Sequence, residues 1–159
     1  MTVTQERDTT TIRQTVTFNA APFDVYETIL DSRKHEALSG EKAVISREVG
    51  GAFTALGDHI AGFNLTVVPG QKIVQAWRAR DWWPDHYSIA TFALREVDGG
   101  TELRFTQIGV PPHRFEGHSA GWIEAYWRPM RDVFDKGAPG ETTRSAHAAA
   151  RQRIDKGEL

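Results

Sequence analysis

Six histidines, at positions 35, 59, 86, 113, 118 and 147, have the widest chemical reach in this 159-residue chain, and their spacing limits what they can do. No two stand four apart and none sits in an H-E-x-x-H string, so no paired imidazole face is written for a metal and no metal site is expected. Cysteine is absent, which removes thiolate chemistry and disulfides together. No nucleophile elbow is read. Gly50-Gly51 and Gly99-Gly100 fall between alternating segments, where they serve hairpin turns rather than a phosphate cradle. Asp132 and Asp135 are close enough for paired-carboxylate work, yet they lie on the outward side of a helix and read as a solvated charged face. Motifs therefore assign no catalytic residue and no cofactor.

What remains is the chemistry of an interior. If apolar alternation sets the inward phase of each strand, Gln14, Gln75 and Gln107 share that phase with Phe63, Trp77, Phe92 and Phe105. An amide left unpaired in an apolar core costs on the order of 1–3 kcal/mol, so the glutamines must bond one another, meet backbone or water, face a ligand, or reach solvent at strand ends. Trp122, Tyr126 and Met130 supply an apolar helix face opposite them. Together these residues outline either a packed core or a small-molecule pocket with a few convergent amides. A second candidate is the loop Asp81-Trp82-Trp83-Pro84-Asp85-His86. Two adjacent tryptophans on an extended segment cannot both point inward, so Trp82, Trp83 and His86 are assigned to a lid or partner contact, with Trp82 the stronger candidate and packing on the end of the last helix the alternative for Trp83.

The elements that position these residues follow from periodicity. Ile12, Gln14, Val16 and Phe18 alternate with polar neighbours, which predicts a first strand from Thr11. Pro22 at a first helical position and the i,i+4 pairs Val25/Ile29 and Tyr26/Leu30 predict a short helix; Ser32 is placed as the cap of a second, which Gly40 stops. Strands are then expected over 42–48, 52–56, 59–68, 72–80, 87–97 and 101–108, paired with their sequence neighbours. In the stretch 116–136, Trp122, Tyr126, Met130 and Val133 form one helical stripe with Ile123, Trp127 and Phe134 on its flanks, and Pro129 predicts a kink. The sum is an α+β domain with a curved antiparallel sheet, two short helices after the first strand and a long C-terminal helix. Residues 1–10 read as disordered, 11–136 as one domain, and 137–159 as a flexible or marginally helical tail.

Composition excludes several classes. With 40% hydrophobic and 25% charged residues the chain reads as soluble and globular, and no apolar run approaches the roughly 20 residues that span a bilayer. A formal charge of −2 without a basic cluster argues against nucleic acid. The polar, acidic start fits neither a signal nor a transit peptide, so the cytoplasm is the default location, as monomer or homodimer.

An ordered set of residues carries a resemblance: Gly50-Gly51-x-Phe53, Gly62, Pro69, Trp77-Arg78, Trp83-Pro84-x-His86, Gly100-Thr101-Glu102-Leu103, Gly109-x-Pro111 and Gly121-Trp122-x-x-x-Tyr126-Trp127. Over about Thr11 to Lys136 this resembles the activator of heat-shock protein 90 ATPase family, in particular its C-terminal domain within the START-like helix-grip (SRPBCC) superfamily. The resemblance implies a sheet gripping the last helix around a cavity for a small hydrophobic ligand. It equally implies a stress-response, chaperone-related partner, heat-shock protein 90, although the family's separate N-terminal domain has no room here. A third implication is cyclase- or aromatase-type chemistry in the same cavity, for which Tyr126, His86 and His118 are the titratable candidates.

Overall fold

The computed structural model describes residues 7–136, so the assignments made for 1–6 and 137–159 lie outside it. Seven strands form one antiparallel sheet in the order β1-β7-β6-β5-β4-β3-β2: β1 (Thr10–Phe18), β2 (Val44–Ile45), β3 (Ala52–Ala55), β4 (Ile60–Val68), β5 (Lys72–Ala79), β6 (Ser88–Val97) and β7 (Gly100–Val110). From β2 to β7 each strand pairs with its sequence neighbour, as the turn signals require, while β1 closes on the far side of β7. Ile12 and Gln107 are opposite one another, as are Gln14 and Phe105, so two inward glutamines lie diagonally across the β1–β7 pair.

Inward alternation holds in β1, β5, β6 and β7. It fails in β4. There Ile60 and Asn64 are buried, whereas Phe63 and Leu65 are 39% and 38% exposed. The reason is twofold. Gly62 occupies an inward position with no side chain to show it, and Leu65 is an extra residue between the pairs Asn64↔Gln75 and Thr66↔Val74. That bulge turns Val67 back toward the core. Phe63 is thus not an interior residue.

Between β1 and β2 the chain forms α1 (Pro22–Leu30) and α2 (Ser32–Ser39). Asp31, not Ser32, caps α2: its Oδ1 accepts from the Lys34 N–H at 3.0 Å. The Ser32 hydroxyl instead accepts the Ile45 N–H at 2.9 Å, tying the two-residue β2 to the helix. Gly40, at φ 76°, ends α2 in the left-handed conformation.

The C-terminal helix is α3 (Phe115–Trp122) and α4 (Arg128–Lys136), joined without a break by a π-helical turn, Ile123–Trp127. Pro129 accounts for it. Proline has no N–H for the Ala125 carbonyl and its ring presses on that carbonyl, so the turn widens, and the Arg128 N–H reaches back five residues to Ile123 O. The expected kink therefore takes the form of a widened turn. It brings Trp127, placed on the flank by strict helical spacing, fully inward beside Tyr126.

Gly62 also marks a close approach. A Cβ there would fall 1.8 Å from the Ala76 carbonyl oxygen on β5 and 2.8 Å from the Phe53 ring. Gly62→Ala must push two paired strands apart, at a cost of about 1–3 kcal/mol of overpacking strain, read as a lowered urea midpoint with unchanged slope.

Candidate functional site

Each inward glutamine has found a partner inside the protein. Trp122 Nε1–H donates to Gln107 Oε1 at 2.8 Å; Gln107 Nε2 donates to Ser88 Oγ at 3.0 Å; the Ser88 hydroxyl donates to the Trp77 carbonyl at 2.8 Å. This relay is complete and buried. A second runs from Trp127 Nε1–H to Gln14 Oε1 at 2.7 Å, with Gln14 Nε2 donating to Ser119 O at 2.8 Å. Both amides that face the helix offer their oxygens to it. Gln75 Nε2 donates to Asn64 Oδ1 at 3.2 Å, and Asn64 Nδ2 in turn bonds the carbonyls of Ser46 and Glu48.

Because the indoles are bonded to the sheet, the helix lies close on it. Trp122 stacks on Trp127 at 5.4 Å and 17°, and Phe105 reaches to 4.4 Å from the Trp122 ring. The space left is a void of about 20 Å³ under α1 and α2. That is room for one water molecule rather than for a hydrophobic ligand. Gln75, Trp77, Phe92, Trp122, Tyr126 and Met130 line the void, as expected of pocket residues; Gln14, Phe105 and Gln107 do not reach it, and Phe63 is on the opposite face of the sheet. Ring volume and two indole hydrogen bonds narrow the space between sheet and helix to this void.

Spacing alone gave no sign of the pair that faces the void. His35, from α2, accepts and donates at once: its Nδ1 lies 3.1 Å from the Ile29 carbonyl, which can only accept, so Nδ1 carries the proton. Nε2 is then the acceptor for the Tyr126 hydroxyl, also at 3.1 Å. Burial pushes the Tyr126 phenol up and the His35 imidazole down, so each stays neutral through the physiological range. Such a pair is tuned to hold a hydrogen bond, not to exchange protons at neutral pH.

At the loop 80–87 Trp82, the stronger contact candidate from sequence, is the buried ring, and Trp83 is the more exposed of the two. Trp82 is 4% exposed, packed against Trp77 at 5.4 Å and donating Nε1–H to His118 Nε2 at 2.9 Å. Trp83 is the half-exposed one, with the Arg7 guanidinium 4.8 Å above its ring and His86 edge-on at 5.1 Å. His86 is tied down, its Nε2 lying 2.7 Å from the Gly109 carbonyl. Arg78 holds the loop by donating to the carbonyls of Trp82, Trp83 and His86. An intraprotein acceptor for Trp82 could have been sought among the buried-phase histidines of the following helix.

Two serine spacings of hydrolytic motifs do occur and neither has its setting. Gly117-His118-Ser119-Ala120-Gly121 lies within α3 instead of on a strand-to-helix turn, with Ser119 turned to Gln14. Ser39 and Lys42 are separated by the left-handed Gly40, so they share no helix face. No group of three or more metal-ligating side chains is assembled among the described residues, and none of their helices is long and apolar enough to cross a membrane.

Comparison with known proteins places these features in a lineage. Residues 19–135 match the family described as Activator of Hsp90 ATPase homolog 1-like protein. An activator of 90 kDa heat shock protein ATPase homolog from Dictyostelium discoideum is 33% identical over 123 residues, which are 76% of this chain and 32% of that protein. The chain thus spans about a third of the length of the curated relatives it matches. A crystal structure of an HSP90 activator from Plasmodium falciparum superposes with a TM-score of 0.62 at 27% identity, covering 64% of this chain and 74% of that one. A Mesorhizobium loti protein shares the fold at a TM-score of 0.71 and 21% identity, over 81% of this chain and 99% of that one.

Gln107→Leu leaves the Trp122 indole N–H buried without an acceptor and is expected to cost about 1–3 kcal/mol. Adding Trp122→Phe removes the orphaned donor, so the two losses are non-additive in urea unfolding. A separate measurement reads the histidines. Burial, then the charges of Arg114, His59 and His113, push His118 down to about 3, and burial lowers His35 and His59 too. A depressed imidazole binds its proton in the unfolded chain first, so stability is full above about pH 6.5 and falls as pH drops toward 3, by at most about 1.4 kcal/mol per pH unit for each group. His118→Gln, which keeps an acceptor for Trp82, flattens that slope.

Proposed function

The chain belongs to the Activator of Hsp90 ATPase homolog 1-like protein family, and from that premise we propose that it works as a protein-binding domain for a chaperone ATPase of the 90 kDa heat-shock class. The observation that supports this reading is the filled interior: with a void of only about 20 Å³ inside, the apolar area open to a partner is on the outside of the domain. The outward face of the sheet offers it. Phe63, Ala76, Ile89 and Ile108 are successive partners across β4, β5, β6 and β7, forming one apolar row, with Tyr87 edge-on to Phe63 at 5.7 Å. Ile108 is 55% exposed and Phe63 and Ile89 nearly two-fifths, an apolar stripe that a monomer gains by covering. Arg13 and Lys72 point to the same side and make no ion pair among the described residues, so an acidic rim on the partner fits.

A second reading keeps a small ligand in the interior, and one observation favours it: Tyr126, His35 and Gln75 line the void together, beside a π-helical turn and beneath α2. Admission of a ligand then requires α2 and the short β2 to lift.

The two readings separate in solution. Titrating purified 90 kDa heat-shock chaperone with this protein is expected to give saturable binding by calorimetry and a change in its ATPase rate, both weakened at least tenfold by Ile108→Glu with the fold intact by circular dichroism. Neither binding nor a rate change at saturating protein would sink the first reading. A hydrophobic small molecule that raises the melting temperature of the wild type but not of Tyr126→Phe supports the second instead.

A further inference from the structure

Among the described residues, the buried side-chain nitrogens and oxygens without a hydrogen-bond partner are four nitrogens, and they belong to one neighbourhood: His59 Nε2, Arg114 Nε and Nη2, and His118 Nδ1. The loop after β5 brings the three residues together. His59 precedes β4, and its carbonyl accepts the Arg80 N–H at 2.8 Å. The next residue, Asp81, has its Oδ2 2.6 Å from Arg114 Nη2, and Arg114 is the residue that opens α3. Trp82 follows, bonded to His118 in the first turn of that helix. The charge of Arg114 acts on both His59 and His118, which places all three within electrostatic reach of one another.

Each orphan is a donor or can be one. An indole N–H only donates, so His118 Nε2 must offer its lone pair to Trp82 and the ring proton sits on Nδ1, in a side chain that is 0% exposed. Nδ1–H cannot be a metal ligand. Arg114 lies close to Asp81 as an ion pair by distance, but its Nη2 hydrogens are not aligned on that carboxylate and Nε has no acceptor at all. His59, 7% exposed, is free to present Nε2 in its protonated tautomer. A water molecule accepts at most two hydrogen bonds, fewer than the donor nitrogens left over in this neighbourhood. An occupant that only accepts matches the site, and the positive end of α3 adds to the field of the guanidinium.

We propose that His118 Nδ1–H and the Arg114 guanidinium, with His59 at the rim, hold a water-sized monovalent anion of the halide type where the β5–β6 loop meets the start of α3. The site is independent of the sheet face and of the void under α2. It locks the loop carrying Trp82 and Trp83 onto the helix, so its occupancy stiffens the end of the domain where those rings lie.

Crystals soaked in sodium bromide test it directly: an anomalous peak within hydrogen-bonding distance of His118 Nδ1 is expected. In solution, the melting temperature is expected to rise saturably with chloride or bromide when ionic strength is held constant with gluconate, whose anion is too large to enter, and Arg114→Met abolishes the rise. Should that variant not fold, the bromide peak in wild-type crystals decides alone. Bromide crystals with only water or no density at Nδ1 overturn the proposal, as does a halide response that Arg114→Met leaves unchanged. In the first case the Nδ1 proton is spent on the face of Trp77, whose ring is 5.6 Å from His118 and nearly perpendicular to it.

Discussion

Two indole N–H groups donated to two glutamine amides decide how the C-terminal helix lies on its sheet. Trp122 meets Gln107 on β7 and Trp127 meets Gln14 on β1, so the helix is fastened to two neighbouring strands at points set by their register. Apolar packing alone would let a smooth aromatic face slide. A buried donor that loses its acceptor forfeits on the order of 1–3 kcal/mol, and that penalty makes one alignment far better than its neighbours. The stacked pair of indoles, the closeness of Phe105 and the small residual void all follow from that alignment.

The fastening depends on an irregularity in the helix. Five residues apart, Trp122 and Trp127 would diverge by more than a quarter turn on a regular α-helix, since five steps of about 100° overshoot a full turn by about 140°. The π-helical turn absorbs part of that overshoot, and Pro129 creates it by refusing the bond to Ala125. A residue that reads as a helix defect thus brings both tryptophans onto the sheet. The same widening presents Tyr126 to His35, which links α2 to the helix through a neutral hydrogen-bonded pair.

Most of the fold was legible because alternation is a backbone property: β1, β5, β6 and β7 bury the residues their patterns name, and the hairpin glycines lie where the chain reverses. What escaped is chemically specific. In β4 the exposed Phe63 and Leu65 are more apolar than the buried Asn64, and Gly62 is silent, so hydrophobicity alone selects the wrong face. Trp82 was judged by the crowding of two adjacent indoles, while its position is set by a partner 36 residues away, His118, which no local pattern displays. Of the glutamines, sequence could say that each needs a partner; that two partners would be tryptophans of the helix depends on the π-helical turn. The volume between sheet and helix was illegible for a related reason, since alternation says which residues face inward and nothing about how far apart the faces stand.

The polar groups retained in this core divide into two kinds, and the division is physical. Gln14, Gln107, Ser88 and Ser119 are paired within the domain and hold shape. The orphaned nitrogens of His59, Arg114 and His118 are donors that the described residues do not use. Leaving such groups buried costs stability, and the native fold bears that cost where something from outside can recover it. They lie beyond Trp77, which lines the void on one side and meets His118 on the other. The ring is therefore the wall between a closed, bonded centre and one neighbourhood whose bonding is unfinished, and an occupant there would tighten the start of the helix against the loop that carries Trp82.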